Sequence, residues 1–273
     1  MRRWLTLVVM WMVSVCAFAQ VGQRITTRSE KLADFPLKVT KVVLSGNPFQ
    51  DIALKEAVRN AWTLSPYEFC TAEEFQRLKG SDRYYFMLRT ENERQRGISF
   101  LTLVKGGADK VEDMLEVFTL PVGAAGATQG SEEMFLTALV SVMQEHAERA
   151  LSSSIVSLGS VSGGIARLSK MKLYFSEKDL CPQIGDSFKA TRFGRDMYIV
   201  DEYGAEDIIL SGAYDTAVSY VIAPVSPQKG DWCYKMLLDA RTHELLYYTK
   251  HRITASRGAG FLKSDIRKLA GHR

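Results

Sequence analysis

The chain has 273 residues, a formal net charge of +4, 46% hydrophobic and 10% aromatic residues. Those are globular values and exclude a chain that is disordered throughout. The near-balanced charge supports neither a nucleic-acid binder nor a polybasic membrane clamp. No apolar run reaches the ~20 residues that a bilayer-spanning helix needs.

The chain opens with Arg2 and Arg3, an apolar run from Trp4 to about Val15, and Ala17-Phe18-Ala19. That order predicts a secretory signal peptide over 1–19 and a mature start at Gln20. A lipid anchor at Cys16 is the alternative. The attachment cysteine needs a small residue before it, and Val15 stands there, so the unlipidated form is expected. A start at Gln20 resembles the signal peptides of exported proteins in Bacteroidetes. The expected location is the periplasm, the outer membrane or the outside of the cell. Loss of Arg2 and Arg3 takes the net charge from +4 to +2.

Residues 20–150 are predicted to form a first α/β unit plus a central helix. A strand over 38–44 leads through Asn47-Pro48 to a helix with Asp51 as N-cap. Leu54, Ala57, Val58, Ala61 and Trp62 recur there at helical spacing. Pro66 ends it, and Tyr67 to Cys70 reads as a second strand. Thr71 and Glu74 fit a capping box for a short helix, Ala72 to Lys79. Strands over 83–90, 98–105 and 114–121 follow. Ser131 to about Leu151 is a helix with Glu132 and Glu133 at its positive end. It is apolar nearly all round from Met134 to Met143 and polar from Gln144 to Arg149, so one end is expected buried and the other wet.

The Ser/Gly-rich stretch 151–170 reads as a linker, with a short strand hidden near Ile155, Val156 and Leu158. Residues 171–255 read as a second α/β unit, and 256–273 as a basic, solvated tail with a short helix. The two units repeat at a fixed offset of 131. That offset carries Lys41–Ser45 onto Lys172–Ser176, Tyr67–Cys70 onto Tyr198–Asp201, Phe100–Val104 onto Trp232–Lys235, and Met114-Leu115 onto Leu245-Leu246. The second unit's first helix is weak, because Pro182 and Gly185 interrupt it. Its last hairpin turns at Asp239-Ala240-Arg241-Thr242. The expected fold class is therefore α+β: two similar α/β units, each a small mixed sheet backed by helices with a long antiparallel hairpin.

Tyr198-Ile-Val-Asp201, Glu206-Asp-Ile-Ile209, Leu210-Ser-Gly-Ala213 and Leu238-Asp-Ala-Arg241, with the order strand, helix, strand, short helix, hairpin, carry a resemblance over roughly 38–121 and 170–252. The units resemble the amino-terminal domain of TolB and the related domains of the curli-secretion lipoprotein and the penicillin-binding-protein activators. The first strand lacks the Pro that often follows it in those domains. The whole chain also resembles exported proteins common in Bacteroidales. The resemblance implies non-catalytic envelope scaffolds that work through their surfaces.

No catalytic, cofactor or metal site is assigned. "THELLYY" (242–248) offers His243 but Tyr247 where a zinc motif needs its second His. "SVSGG" (160–164) has Ser160 where a nucleophile elbow needs Gly, and no strong helix behind Ser162. "GAAGATQGSEE" (123–133) lacks the Lys-Ser/Thr pair of a phosphate loop. His146 and Glu148 do not share a helix face, and His251 gathers no partners for a metal. The acidic pairs Asp201-Glu202 and Glu206-Asp207 read as solvated turns.

Cleavage leaves Cys70, Cys181 and Cys233, without any C-x-x-C. Cys70 reads as a small buried hydrophobe. Cys181 and Cys233 share the second unit and are expected nearer each other than either is to Cys70, with both left as thiols. The function expected is a non-enzymatic binding or assembly module for an envelope protein or peptidoglycan-associated partner. The alternatives are a hydrolase assembled from distant residues, or a carrier of a small apolar or glycan ligand using Trp62, Trp232 and the tyrosines.

Overall fold

A computed structural model describes residues 24–25, 32–127, 132–152, 156–157 and 162–271. The predicted signal peptide, Cys16, Gln20, Ser131 and the terminal His272 and Arg273 lie outside the described residues.

The first unit runs β1 (Val39–Val43), α1 (Pro48–Ala61), β2 (Tyr67–Cys70), α2 (Ala72–Leu78), β3 (Tyr84–Glu91), β4 (Ile98–Lys105), β5 (Leu115–Ala124) and α3 (Glu132–Ser152). Its sheet has the order β2-β1-β3-β4-β5. β1 lies parallel to both β2 and β3, and the β3–β4 and β4–β5 pairs are antiparallel. After α4 (Ser162–Leu168), the second unit runs β6 (Lys172–Ser176), α5 (Asp186–Arg192), β7 (Met197–Val200), α6 (Glu202–Ser211), β8 (Thr216–Ile222), β9 (Trp232–Asp239), β10 (Leu245–Arg252) and α7 (Lys263–Ala270). Its sheet order, β7-β6-β8-β9-β10, and its strand directions reproduce the first. The molecule is α+β, with two mixed sheets of one topology.

The fixed offset of 131 is looser than the sequence suggests. Equivalent strands start 133, 130, 132, 134 and 130 positions apart, and α3 and α7 start 131 apart. Register shows where it slips. Tyr67 lies beside Thr40, whereas Tyr198 lies beside Tyr174, so β6 is displaced by three residues from the alignment of Lys41 with Lys172.

Several local expectations need correcting. Asn47 caps α1, its carboxamide oxygen accepting from Phe49 and Gln50 N–H groups. Asp51 instead ties the preceding loop, accepting from the Ser45 N–H (2.8 Å), the Ser45 hydroxyl (2.9 Å) and the Gly46 N–H (3.0 Å). The second unit does have its first helix. Gly185 ends the interruption and serves as N-cap to α5, without a side-chain bond. Within the expected linker the short strand is present, Val156–Ser157 pairing with Arg24–Ile25, but a helix, α4, begins at Ser162. The end of the chain is not a solvated tail throughout. Ile266 and Leu269 of α7 are buried, and Lys235, itself only 1% exposed, holds Asp265 at 2.5 Å.

The central core contains α1, α3 and one face of each sheet, together with Ala205 and Ile209 of α6. α2 packs on the far side of the first sheet with Cys70, Phe86 and Met114. Phe188 of α5 and Ile266 and Leu269 of α7 pack on the far side of the second. The first and last helices of unit one thus face inward, while their counterparts in unit two face outward. The units are stacked in the same sense. Across the junction Phe135 stacks on Tyr220 with ring centroids 4.5 Å apart, and the Tyr220 hydroxyl donates to the Val122 carbonyl at 2.6 Å.

α3 is buried further along than its polar end predicts. His146, Ala147 and Ala150 are all buried. His146 stacks on Phe118 at 5.0 Å, its Nδ1 lies 2.8 Å from the Val142 carbonyl, and burial pushes its pKa down to about 4.

Candidate functional site

In open sheets with parallel strands, ligands bind beyond the carboxyl ends, where crossovers leave to opposite faces and open a crevice. Each unit has one such point, where its first strand lies between its second and third. In unit one, Ser45 follows β1, while Arg89, Thr90 and Glu91 end β3. With Gln50, Ser99, Ala124 and Glu132 they line a cleft of about 310 Å³. In unit two, Lys178 follows β6, Val221 and Ile222 end β8, and Ala223 follows it. With Gln50, Ala124, Glu132, Glu133 and Glu202 they line a second cleft of about 220 Å³. Gln50, Ala124 and Glu132 belong to both, so the clefts are continuous across the junction.

The local sequence explains how this end is built. Asn47 and Pro48 start α1 at the mouth of β1, and Gly46 takes the positive φ of 84° that the tight β1–α1 turn requires. Asp201 caps α6 by accepting from the Gly204 N–H at 2.7 Å, which sets Glu202 in the first turn. Gly123 leaves room for the Glu132 carboxylate, with which any Cβ would collide.

Both cations of the cleft are held internally, while Glu91 and Glu133 are in no ion pair among the described residues. Arg89 pairs with Glu132, both mostly buried, and Lys178 pairs with Glu202. No histidine or cysteine lines either part. Large apolar side chains lie close in sequence to the lining residues. Phe49 and Ile52 flank Gln50, Met134 follows Glu133, Tyr203 follows Glu202, and Val225 follows the end of β8. All five are exposed, Phe49 at 81% and Tyr203 at 77%.

Beneath the second cleft, the Ser219 hydroxyl donates to Asp179 at 2.6 Å and accepts from the Ser176 N–H at 2.9 Å. Burial raises the Asp179 pKa to about 6. All three residues are sealed from solvent, so this pair cannot meet a substrate. A separate depression of about 320 Å³ gathers Ser141, Glu145, Glu148, His243 and Glu244. Ser141 donates to the Thr137 carbonyl of its own helix at 3.0 Å, and His243 Nδ1 stands 3.5 Å away. That distance is too long for an activated nucleophile, and the serine proton is engaged elsewhere.

The other sequence candidates are dispersed. His243 occupies the hairpin turn at φ 60°, and Tyr247 lies on β10, so no helix aligns the zinc-like motif. His251 holds the Gly258 carbonyl at 2.9 Å. Among the described residues no three His, Cys, Asp or Glu side chains are grouped to hold a metal. Asp201 is a cap and Glu202 an ion-pair partner. Burial and neighbouring Glu202 raise the Glu206 pKa.

Cys70, Cys181 and Cys233 are buried free thiols, and burial pushes Cys70 and Cys233 up to about 11. Cys181 and Cys233 both lie beside Gly260, whereas Cys70 is in the outer core of unit one. Trp62 is buried and bonds Ser65, and Trp232 lies under Lys250 and Arg252, so neither lines the cleft.

Sequence reasoning missed Gln50, Arg89, Glu132 and Lys178. Their only signal was position at the ends of strands or the starts of helices. Comparison with protein-family models, with curated proteins and with solved structures finds no match for this chain.

Proposed function

We propose that the chain is an exported cell-envelope protein that acts non-enzymatically, as a binding or assembly module for a partner protein or envelope component. The observation that carries this reading is the continuous carboxyl-end cleft, whose two cations are held in ion pairs, together with five large exposed apolar side chains close in sequence to its lining residues. Exposed apolar groups suit a partner surface, because burying them supplies affinity. Both cations are engaged, and no histidine or cysteine stands there to partner Glu91 or Glu133 in proton-transfer chemistry. The sequence resemblance to TolB-type envelope domains supports the same reading. The partner would bridge both units and read their relative placement.

A photo-crosslinking residue at Phe49 or Tyr203, introduced in cells, tests this. One discrete envelope adduct is expected from both positions, none from Leu37 at the amino-terminal end of β1, and none from Phe49 once Tyr203 is Asp. Crosslinks of equal yield from Leu37, or none from Phe49 and Tyr203, would refute the reading.

A further inference from the structure

The outer face of the second unit is formed by α5 and α7, and the fold brings cations onto it from three separate stretches of sequence. Arg192 and Arg195 come from α5 and its exit, Arg257 from the loop after β10, and Lys263, Arg267 and Lys268 from α7. All six are exposed, and among the described residues none is in an ion pair. The helices are in contact through Phe188. The Lys263 ammonium and the Arg267 guanidinium lie 5.8 and 5.6 Å from its ring centre. Arg192 is one turn beyond Phe188 on the same side of α5.

The nearby carboxylates do not balance these charges. Glu177 is taken by Lys189. Asp265 is drawn inward, where it accepts from Lys235 (2.5 Å), the Tyr247 hydroxyl (3.2 Å) and the Leu262 N–H (2.8 Å). Even with Asp186 and Asp196 both counted against them, six cations exceed the carboxylates of this face. The sequence spreads its basic residues thinly, and the fold concentrates them.

We infer that this face adsorbs to a membrane surface carrying anionic phosphate headgroups. Among the described residues, none of the exposed large hydrophobic side chains belongs to α5 or α7. A protein interface without an apolar anchor would lack the buried hot spot on which such contacts depend. The apolar stripe of α7 is spent on the core, so the helix lies on a bilayer without inserting. What is left is a row of long cationic side chains over two packed helices, which suits a delocalised layer of headgroup charge. Attraction of this kind is reversible and falls with salt, because exposed charges are screened over about 8 Å at physiological ionic strength. The inference is independent of the cleft and its partner.

Vesicle co-sedimentation of the full chain tests it, using phosphatidylcholine alone and phosphatidylcholine with about one-third phosphatidylglycerol. Binding is expected only to the anionic vesicles, and it should fall at least about tenfold in the Arg192→Glu, Lys263→Glu, Arg267→Glu triple variant. The milder Arg192→Gln, Lys263→Gln, Arg267→Gln triple guards against misfolding and should show a smaller loss. Equal binding to neutral vesicles would report the apolar run at 4–15 and overturn the inference. So would an equal loss in the exposed control triple Arg83→Glu, Lys110→Glu, Lys229→Glu, which would trace binding to net charge. Duplex DNA that binds with the same sensitivity to the α5–α7 substitutions, while vesicles do not, would make the face a polyanion site and end the membrane reading.

Discussion

The two units share one topology but dress it differently. In unit one the first and last helices are 14 and 21 residues long, and in unit two they are 7 and 8. The long pair lies in the middle of the molecule and the short pair on its outside. Ten residues of α3 are buried, against two of α7. A helix between two sheets can bury apolar surface around much of its girth, whereas one on an outer face needs a single stripe. Place in the stack, and not topology, sets the length and composition of each helix.

The sharpest way to break that comparison is to truncate equivalent positions in the two last helices. Phe135 and Ile266 are 131 residues apart and both buried. Phe135→Ala removes the ring stacked on Tyr220 across the junction, and should cost ~3–5 kcal/mol in denaturant unfolding. Ile266→Ala should cost about 2 kcal/mol, because α7 covers one face only. Equal costs would show that place in the stack does not decide.

A second test uses pH. His146 has its pKa lowered from 6.5 to about 4, so the unfolded chain binds the extra proton and stability falls as pH drops through that window. Asp179 has its pKa raised from 3.8 to about 6, so the folded chain binds the extra proton and stability rises as pH drops from about 6 towards 4. The two slopes oppose each other, and these two groups together should contribute little net pH dependence between about 4 and 6. His146→Leu should uncover stabilisation on acidification, and Asp179→Asn should uncover destabilisation, each on the order of 2 kcal/mol. Thermal melts at about pH 4.5 and about pH 7, which span most of that window, decide it. Slopes of unchanged sign in either variant would reject the opposition.

The smallest effect concerns the two first helices. Asn47→Ala removes the cap of α1 and should cost about 1 kcal/mol. Gly185 caps α5 without a side-chain bond and has open space where a Cβ would go. Gly185→Asp should therefore gain a few tenths of a kcal/mol. A loss there would show that the interruption before α5 serves some other purpose.

Much of the fold is legible in the sequence because local chemistry and tertiary structure agree. Tyr67–Cys70 is a strand, the Thr71 hydroxyl accepts from the Glu74 N–H, and Asp239 takes the Arg241 and Thr242 N–H groups in the last turn. Readings failed where a distant residue outbid a near one. Glu74 turns from the cap to Lys41, whose ammonium is 3.0 Å away and buried under the sheet. His146 looks wet in its helix, but Phe118, 28 positions earlier in the chain, stacks on its ring. α5 is hidden because its N-terminus is a glycine after a proline-broken stretch. The cleft is the least legible feature. Its lining comes from the ends of β3, β5 and β8, the residues after β1 and β6, and the first turns of α1, α3 and α6, and no spacing along the chain links these.

Stacking in the same sense has a further consequence. Two units related by a twofold axis would hide like faces against each other and close. Here the face that unit one hides behind α1 and α3 is the face unit two turns outward, and the face unit two hides beside α6 is the one unit one turns outward with α2. Each end of the molecule is therefore a copy of half of its own middle, and nothing in the geometry forbids a third storey. What stops growth is chemistry. The outward helices are short, and among the described residues α2, α5 and α7 present no exposed large hydrophobic side chain. They are terminators of a two-storey column, as polar caps are in solenoid proteins, and apolar substitutions on them should give concentration-dependent strings of molecules rather than closed dimers.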